Sequence, residues 1–485
     1  RIDNPYPIVY PNRTAIFLRE KREERNMSMP EEKQRHSRYE RDLTEGHVVK
    51  QLILFALPFL ASNLIQSLYS VADMLIVGNF AGNISMSGVN IGSQITFILT
   101  NIVVGLCTGG TILIAQAMGR RDRKAIEEVT ATLMTTLLIA GVIITALMIF
   151  LRVPILRLIQ TPKEAFDEAN RYLVVTCAGI LFIFAYNVLS AVQRGMGDSK
   201  RPFYFVLIAC VTNIVLDYVL VAIFHMGALG AAIATVFSQG LSVVLCMVTL
   251  ARDNFVFDFK PKSLRVDRHY VGRIFRLGLP SAVQNGVTSF SFLIITVLTN
   301  YIGGVNASAA VGVVSKFNGF AIMPAVALAA SISTICAQNI GADRWDRAVK
   351  TCWIGTGIAA IISVLIFLVT RIFPAEIIAL FNRDPELVGY GVVYMNTFCF
   401  DYLFVPFCFC INGLFIASGH TTFSLTNNLM SSLILRIPAC ILFSLVLDWG
   451  MIGVGVGAPV ASAGSLCVII GYYLSGKWKE NRAGQ

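Results

Sequence analysis

Asp73, Asp217 and Asp401 are acidic residues set well inside long apolar runs, and Lys316 and Arg436 are their basic counterparts. An ionisable side chain at membrane depth is costly, so it faces a cavity, a partner or an ion path. The plainer alternative is a buried structural pair. Asn213 lies one turn before Asp217 on the same helical face, and Thr235 follows in the next apolar run. Two carboxylates, an amide and a hydroxyl form an oxygen-only set that suits a hard cation such as Na⁺. Close together and desolvated, the same carboxylates could instead carry a proton near neutral pH. Lys316, Asp401 and Arg436 form a second, mixed-charge set, for which an ion pair is the default reading and substrate contact the alternative. Asp401 is expected to pair with Arg436 or Lys316, because burying either charge alone is costly.

The chain that must position these residues has 485 residues, of which 55% are hydrophobic and 14% charged, with a mean hydropathy of +0.67. Soluble domains carry about a quarter charged residues, so long uncharged runs of this kind require membrane helices. The period-two alternation of a barrel strand is absent. Twelve spans are predicted, at 48–78, 86–118, 126–150, 166–195, 202–224, 229–250, 270–300, 308–340, 346–373, 386–418, 422–447 and 451–475. At ~1.5 Å per residue, Asp73 sits roughly 8 Å below the outer surface, and Asp217 and Thr235 roughly 12 Å below it.

The chain also contains itself twice. Pro58, Gly119 and Gly197 recur as Pro280, Gly341 and Gly419, each 222 residues on, and the offset becomes 223 for Gly227 and Gly450. Duplication and fusion of one membrane bundle explains a register held this long, and paired bundles with a site between them are a common secondary-transporter plan. The reading is an all-α protein with a polar N-terminal arm (1–47, solvated and disordered), an N-lobe (48–250), a connector (251–269), a C-lobe (270–475) and a tail (476–485). The chemistry was not duplicated: Asp73 maps to Ile295, Asp217 to Ala439 and Thr235 to Ala458.

Basic residues sort to one side. Nineteen Lys and Arg fall in alternate connections and the tail, from Arg120 and Arg121 through the connector to Lys477, Lys479 and Arg482; six, including Arg152, Lys163 and Arg371, fall on the other side. This bias places both termini and the connector in the cytoplasm. The net charge of +10 therefore reads as topology and does not point to nucleic acid. No cleavable signal peptide is expected ahead of the first span, and Met27 or Met29 could be the start. The eleven cysteines are scattered through apolar runs as small hydrophobes. The five histidines lie in tails or at span ends, so a buried metal or redox centre is not expected.

LPFLASNLIQSLYSVADMLIVG in the first span, AQAMGRRDRKA after the second, QRGMGDSKRP before the fifth and TNIVLDYVL within it together resemble the multidrug and toxic compound extrusion (MATE) family, over about residues 45–476. The resemblance implies two six-helix lobes around a central cavity, and export of amphipathic, often cationic organic compounds in exchange for H⁺ or Na⁺. It implies a monomer in the plasma (inner) membrane of a prokaryote, with lipid around it and no cofactor. Asp73, Asn213, Asp217 and Thr235 match the first-lobe cation site of the DinF-like and archaeal branch. The NorM-like branch uses two second-lobe carboxylates, whose positions here are Thr288 and Phe407. Lys316 and Arg436 look like basic positions of MepA-like members. A lipid-linked oligosaccharide flippase of the same superfamily is the alternative; its diphosphate ligand would want more cavity Arg or Lys than these two. A membrane-embedded enzyme is a third class, for which the chain lacks a cluster of buried catalytic groups.

Overall fold

A computed structural model describes residues 41–252, 255, 257, 263–481 and 483. The expectations for residues 1–40, and for much of the connector, lie outside the described residues.

The chain first runs helically over Val48–Gly119, 72 residues. At ~1.5 Å per residue such a rod would be far longer than a bilayer is thick, so it must turn back. It does so at Gly82, with φ 78° and ψ 176°, a conformation open in practice only to glycine. Span 1 is therefore 48–81 and span 2 is 83–119. The same device recurs at Gly304 (φ 64°, ψ −152°), which separates span 7 (268–302) from span 8 (305–341). Spans 3 to 6 are Arg123–Leu158, Lys163–Gly195, Lys200–Ile223 and Gly227–Arg252. Span 9 is Trp345–Ile372, span 11 Thr421–Val446 and span 12 Gly450–Leu474. Span 10 is Pro385–Phe398 followed by Asp401–Ala417, bent by 51° at the break. Among the described residues this is the expected all-α membrane bundle of twelve spans in two six-helix lobes.

The duplication is written in the backbone. Left-handed residues pair at the 222 offset as Gly82 and Gly304, Arg121 and Asp343, Gly197 and Gly419. At 223 they pair as His225 and Asp448, Gly227 and Gly450. One residue has thus been inserted between 419 and 448, and span 11 shows where. It carries a π-helical turn at Met430–Arg436, whereas residues 208–214 of span 5 are α-helical. A π turn takes one extra residue without shifting the helix beyond it, which is how an insertion is absorbed.

The lobes meet through close backbone contact. A Cβ at Gly105 would lie 2.4 Å from Ala282 Cα, and one at Gly278 would lie 2.7 Å from Leu106 Cα. Nearer the termini, a Cβ at Gly119 would meet Gln338 O at 1.9 Å and one at Gly341 would meet Gln116 O at 2.1 Å. Only glycine lets the helices approach this far. Towards the Gly82/Gly304 end the same helical stripes are bare. On span 2 the stripe continues through Phe97, Gln94 and Asn90, and on span 7 through Gly286, Phe290, Leu293 and Val297, all exposed. The lobes are closed at the terminal end and diverge into a cleft at the other.

Both terminal segments are packed, and the first departs from expectation. Residues 41–46, read as the end of a solvated arm, are packed at the terminal end, with Leu43 and Thr44 buried. The tail likewise buries Trp478. The apolar Leu43 and Trp478 supply the burial that an average over a polar segment conceals.

Candidate functional site

Span 1 presents Tyr69 and Asp73 one turn apart, and span 5 presents Asn213 and Asp217 likewise. Asp217 ends the α-helical part of its span, and a π turn follows at Tyr218–Ile223. Such turns reorient side chains and often occur at functional sites. Asp73, Asn213 and Asp217 are buried, and the two carboxyls lie within hydrogen-bonding reach of each other. The amide orientation that satisfies both ends of Asn213 has Nδ2 donating to Asp217 Oδ2 at 2.7 Å and Oδ1 accepting from Thr235 N at 3.1 Å. Thr235 Oγ1 lies 3.1 Å from the Tyr69 hydroxyl. The four residues singled out in the sequence therefore converge.

Two further residues complete the site. Tyr69 stands one turn from Asp73. Tyr172 of span 4 accepts a hydrogen bond from Ser93 Oγ at 3.1 Å, and its hydroxyl reaches Thr235. Spacing along span 1 could have flagged Tyr69. Nothing in the sequence sets Tyr172 apart from the other tyrosines of the chain.

Chemically the site is an oxygen cage. Two bare carboxylates in contact repel strongly, so they stand together only with a proton or a cation between them. Asp73 Oδ1 and Asp217 Oδ1 are buried and accept no hydrogen bond from the protein. Oxygens left unsatisfied at the centre of a cage of amide and hydroxyl groups fit a small hard cation or a proton.

The second-lobe set does not form the expected ion pair. Among the described residues, no salt bridge within 4 Å joins Asp401 to Arg436 or Lys316. Asp401 instead begins the second half of span 10, in the first turn of that helix, where the dipole favours a carboxylate. It reaches Ser462 of span 12. Arg436 closes the inserted π turn, and its guanidinium lies over the Phe292 ring, 4.4 Å from the centroid. Lys316 is exposed, on a face shared with Gly312 and Gly319 that has no packed neighbour. The Arg436 charge still acts on Asp401, without a direct ion pair. Thr288 Oγ1 donates to Gln284 O and receives Asn428 Nδ2 at 3.5 Å.

The family model described as MatE matches residues 58–219 and again 280–442. The chain belongs to the MATE family. The two matched stretches start 222 residues apart and end 223 apart, repeating the offsets of the backbone. This MATE chain is 31% identical to "Probable multidrug resistance protein YpnP" of Bacillus subtilis over 439 residues, covering 90% of this chain and 97% of that protein. It is 25% identical to "Probable multidrug resistance protein NorM" of Thermotoga maritima, covering 89% and 93%. Its fold superposes with a TM-score of 0.84 on the outward-facing structure of a multidrug resistance MATE family transporter, at 22% identity and 90% and 98% coverage. A MOP superfamily transporter from Pyrococcus furiosus follows with a TM-score of 0.82, 22% identity and 90% and 97% coverage. The protein is a multi-pass membrane transporter and not an enzyme. These relatives lend no support to the flippase alternative.

Proposed function

We propose that this MATE protein is a secondary active multidrug efflux antiporter. It exports amphipathic, often cationic organic compounds in exchange for H⁺ or Na⁺, as a monomer in the inner membrane of a prokaryote, with both termini cytoplasmic. The observation that carries this reading is the carboxyl pair Asp73–Asp217, sealed inside one lobe by Asn213, Thr235 and two tyrosines. In that orientation the cleft opens outward.

The site couples because it joins helices rather than lining the cleft alone. Spans 1, 5 and 6 contribute to one cage, so the occupant's charge decides how they pack. With a proton or Na⁺ between the carboxyls the three spans are drawn together; without it the carboxylates repel. Only such a differential interaction can bias the lobe between two packings and so open or close the cleft around a drug. Apolar side chains such as Phe97, Phe290 and Leu293, interleaved with Asn90 and Gln94, supply the loose surface on which amphipathic compounds bind by area. The nineteen-to-six basic bias and the position of the divergence support the outward assignment.

Drug efflux from inverted vesicles, driven separately by a pH gradient and by a Na⁺ gradient, tests the proposal. Export under one gradient that vanishes in Asp73→Asn is the expected result. Export unaffected by either gradient overturns it.

A further inference from the structure

The two terminal segments occupy equivalent places on the two lobes. Gln116 of span 2 donates Nε2 across the seam to Ala417 O at 2.9 Å, at the end of span 10. Gln338 of span 8 donates Nε2 across the same seam to Gly195 O at 3.3 Å, at the end of span 4. Both glutamines and both carbonyls are related by the 222 offset. These reciprocal bonds exist only while the terminal end is closed.

Each glutamine is also held by a terminal segment. Leu43 N donates to Gln338 Oε1 at 3.0 Å, and Asn339 Nδ2 donates to Leu43 O at 3.3 Å. Arg41 N donates to Met196 O at 3.1 Å, Arg344 to Thr44 O at 2.8 Å and Arg347 to Gly46 O at 2.9 Å. Residues 41–46 thereby bind span 4 of one lobe and spans 8 and 9 of the other. At the second seat, Gln116 Nε2 donates also to Asn481 Oδ1 at 3.1 Å. His420 Nε2 lies 2.9 Å from Glu480 O, and Arg273 donates to Ala483 O. Residues 478–481 and 483 thereby bind span 2 of one lobe and span 7 of the other. Trp478 anchors them, stacked on Tyr473 with ring centroids 5.2 Å apart.

We propose that residues 41–46 and residues 478–481 with 483 are paired latches that lock the terminal end shut, and that both must leave their seats before the molecule opens there. Each latch grips a glutamine that is turned across the seam, and each bridges both lobes. It therefore binds the closed arrangement and loses its partners in the open one, which is the differential interaction a conformational bias requires. The two seats are equivalent but their occupants differ in sequence, so the latches can be tuned separately.

The inference rests on alternating access, and cross-linking separates the two. In a Cys467→Ser background, which removes the exposed native thiol, cysteine pairs at 43 and 339, at 420 and 480, and across the lobes at 101 and 285 are joined by a short reducible linker. Either latch cross-link should reduce drug export in vesicles to the level of the lobe cross-link, and reductant should restore it in the same sample. If the lobe cross-link stops export while a cross-linked latch exports at the wild-type rate, the latch proposal is overturned. If the lobe cross-link also leaves export intact, alternating access fails and the latches with it. Hydrogen exchange gives a readout without transport. Gln338→Ala should speed exchange at Leu43 and its neighbours roughly fivefold for each hydrogen bond lost, and unchanged exchange counts against the latch.

Discussion

At the scale of single residues, Asp73 and Asp217 are the proposed coupling pair. Asp73→Asn makes one carboxyl permanently neutral, so gradient-driven export should be abolished while equilibrium drug binding to purified protein persists. Asp217→Asn should be similar or milder. Wild-type export in both variants would remove this site from coupling. Asp401 and Arg436 make no direct ion pair, but the Arg436 charge still acts on Asp401. A double-mutant cycle with Asp401→Asn and Arg436→Gln is expected to give a measurable coupling in thermal unfolding that stays below the ~3–5 kcal/mol of a broken buried ion pair. Asp42, ahead of span 1, titrates with the docked arm. Its partial burial pushes the carboxyl up, but hydrogen bonds from the Thr44 side chain and backbone and the nearby Arg121 outweigh this and hold it below its ordinary value of 3.8. A depressed carboxyl contributes stability above its unfolded value and loses it as pH falls through the folded one. Exchange protection at 41–46 should therefore hold at neutral pH and loosen below about pH 4. Asp42→Asn should remove that pH dependence.

At the scale of elements, glycine pairs and one inserted residue set the geometry. Gly119→Ala and Gly341→Ala each drive a methyl group into the opposing backbone, so each should penalise the closed terminal end by ~1–3 kcal/mol, the usual cost of overpacking. Accessibility of a cysteine at 338 to a bulky thiol reagent should rise in both. Gly82→Ala acts differently: a Cβ there meets nothing within 4 Å, so its cost is backbone strain alone, ~1–3 kcal/mol in thermal unfolding. Much of this level was legible beforehand. The apolar runs predicted all twelve spans, because a helix satisfies its own backbone in lipid and needs only length and apolarity. The Gly119/Gly341 register was visible, but the facing partner was not, since a repeat gives correspondence and not contact. The π turn at Met430–Arg436 was signalled by the change of offset from 222 to 223, although the sequence did not say how the helix would take up the extra residue.

For the whole molecule, the two lobes make one machine with two ends. Cysteines placed at Lys124 and Lys163 should label from opposite sides of the membrane, 124 from the cytoplasm and 163 from outside. The reverse pattern would invert the orientation and with it the direction in which the cleft now opens. The structure holds the lobes together at the terminal end through glycine contacts, two cross-seam glutamines and two latches. The opposite end relies on no comparable set among the described residues. Opening the closed end must therefore break more specific contacts than closing the cleft must form.

The sequence by itself determined the membrane class, the twelve spans, the duplication and the oxygen-rich set in the first lobe. Each follows from a local property: apolarity over a helical length, a repeated register, or an ionisable residue where lipid would reject it. Tertiary structure decided everything that depends on distance. It brought Asp73, Asn213, Asp217 and Thr235 into one cage and added Tyr69 and Tyr172, because tyrosines common in any membrane protein become site residues only by facing a carboxylate. It left Asp401 without a direct ion pair to Arg436 or Lys316, because similar depth along different helices says nothing about which way each helix is rotated. It also seated polar terminal segments on two buried glutamines, because hydrogen bonds between residues some 300 positions apart leave no trace in local composition.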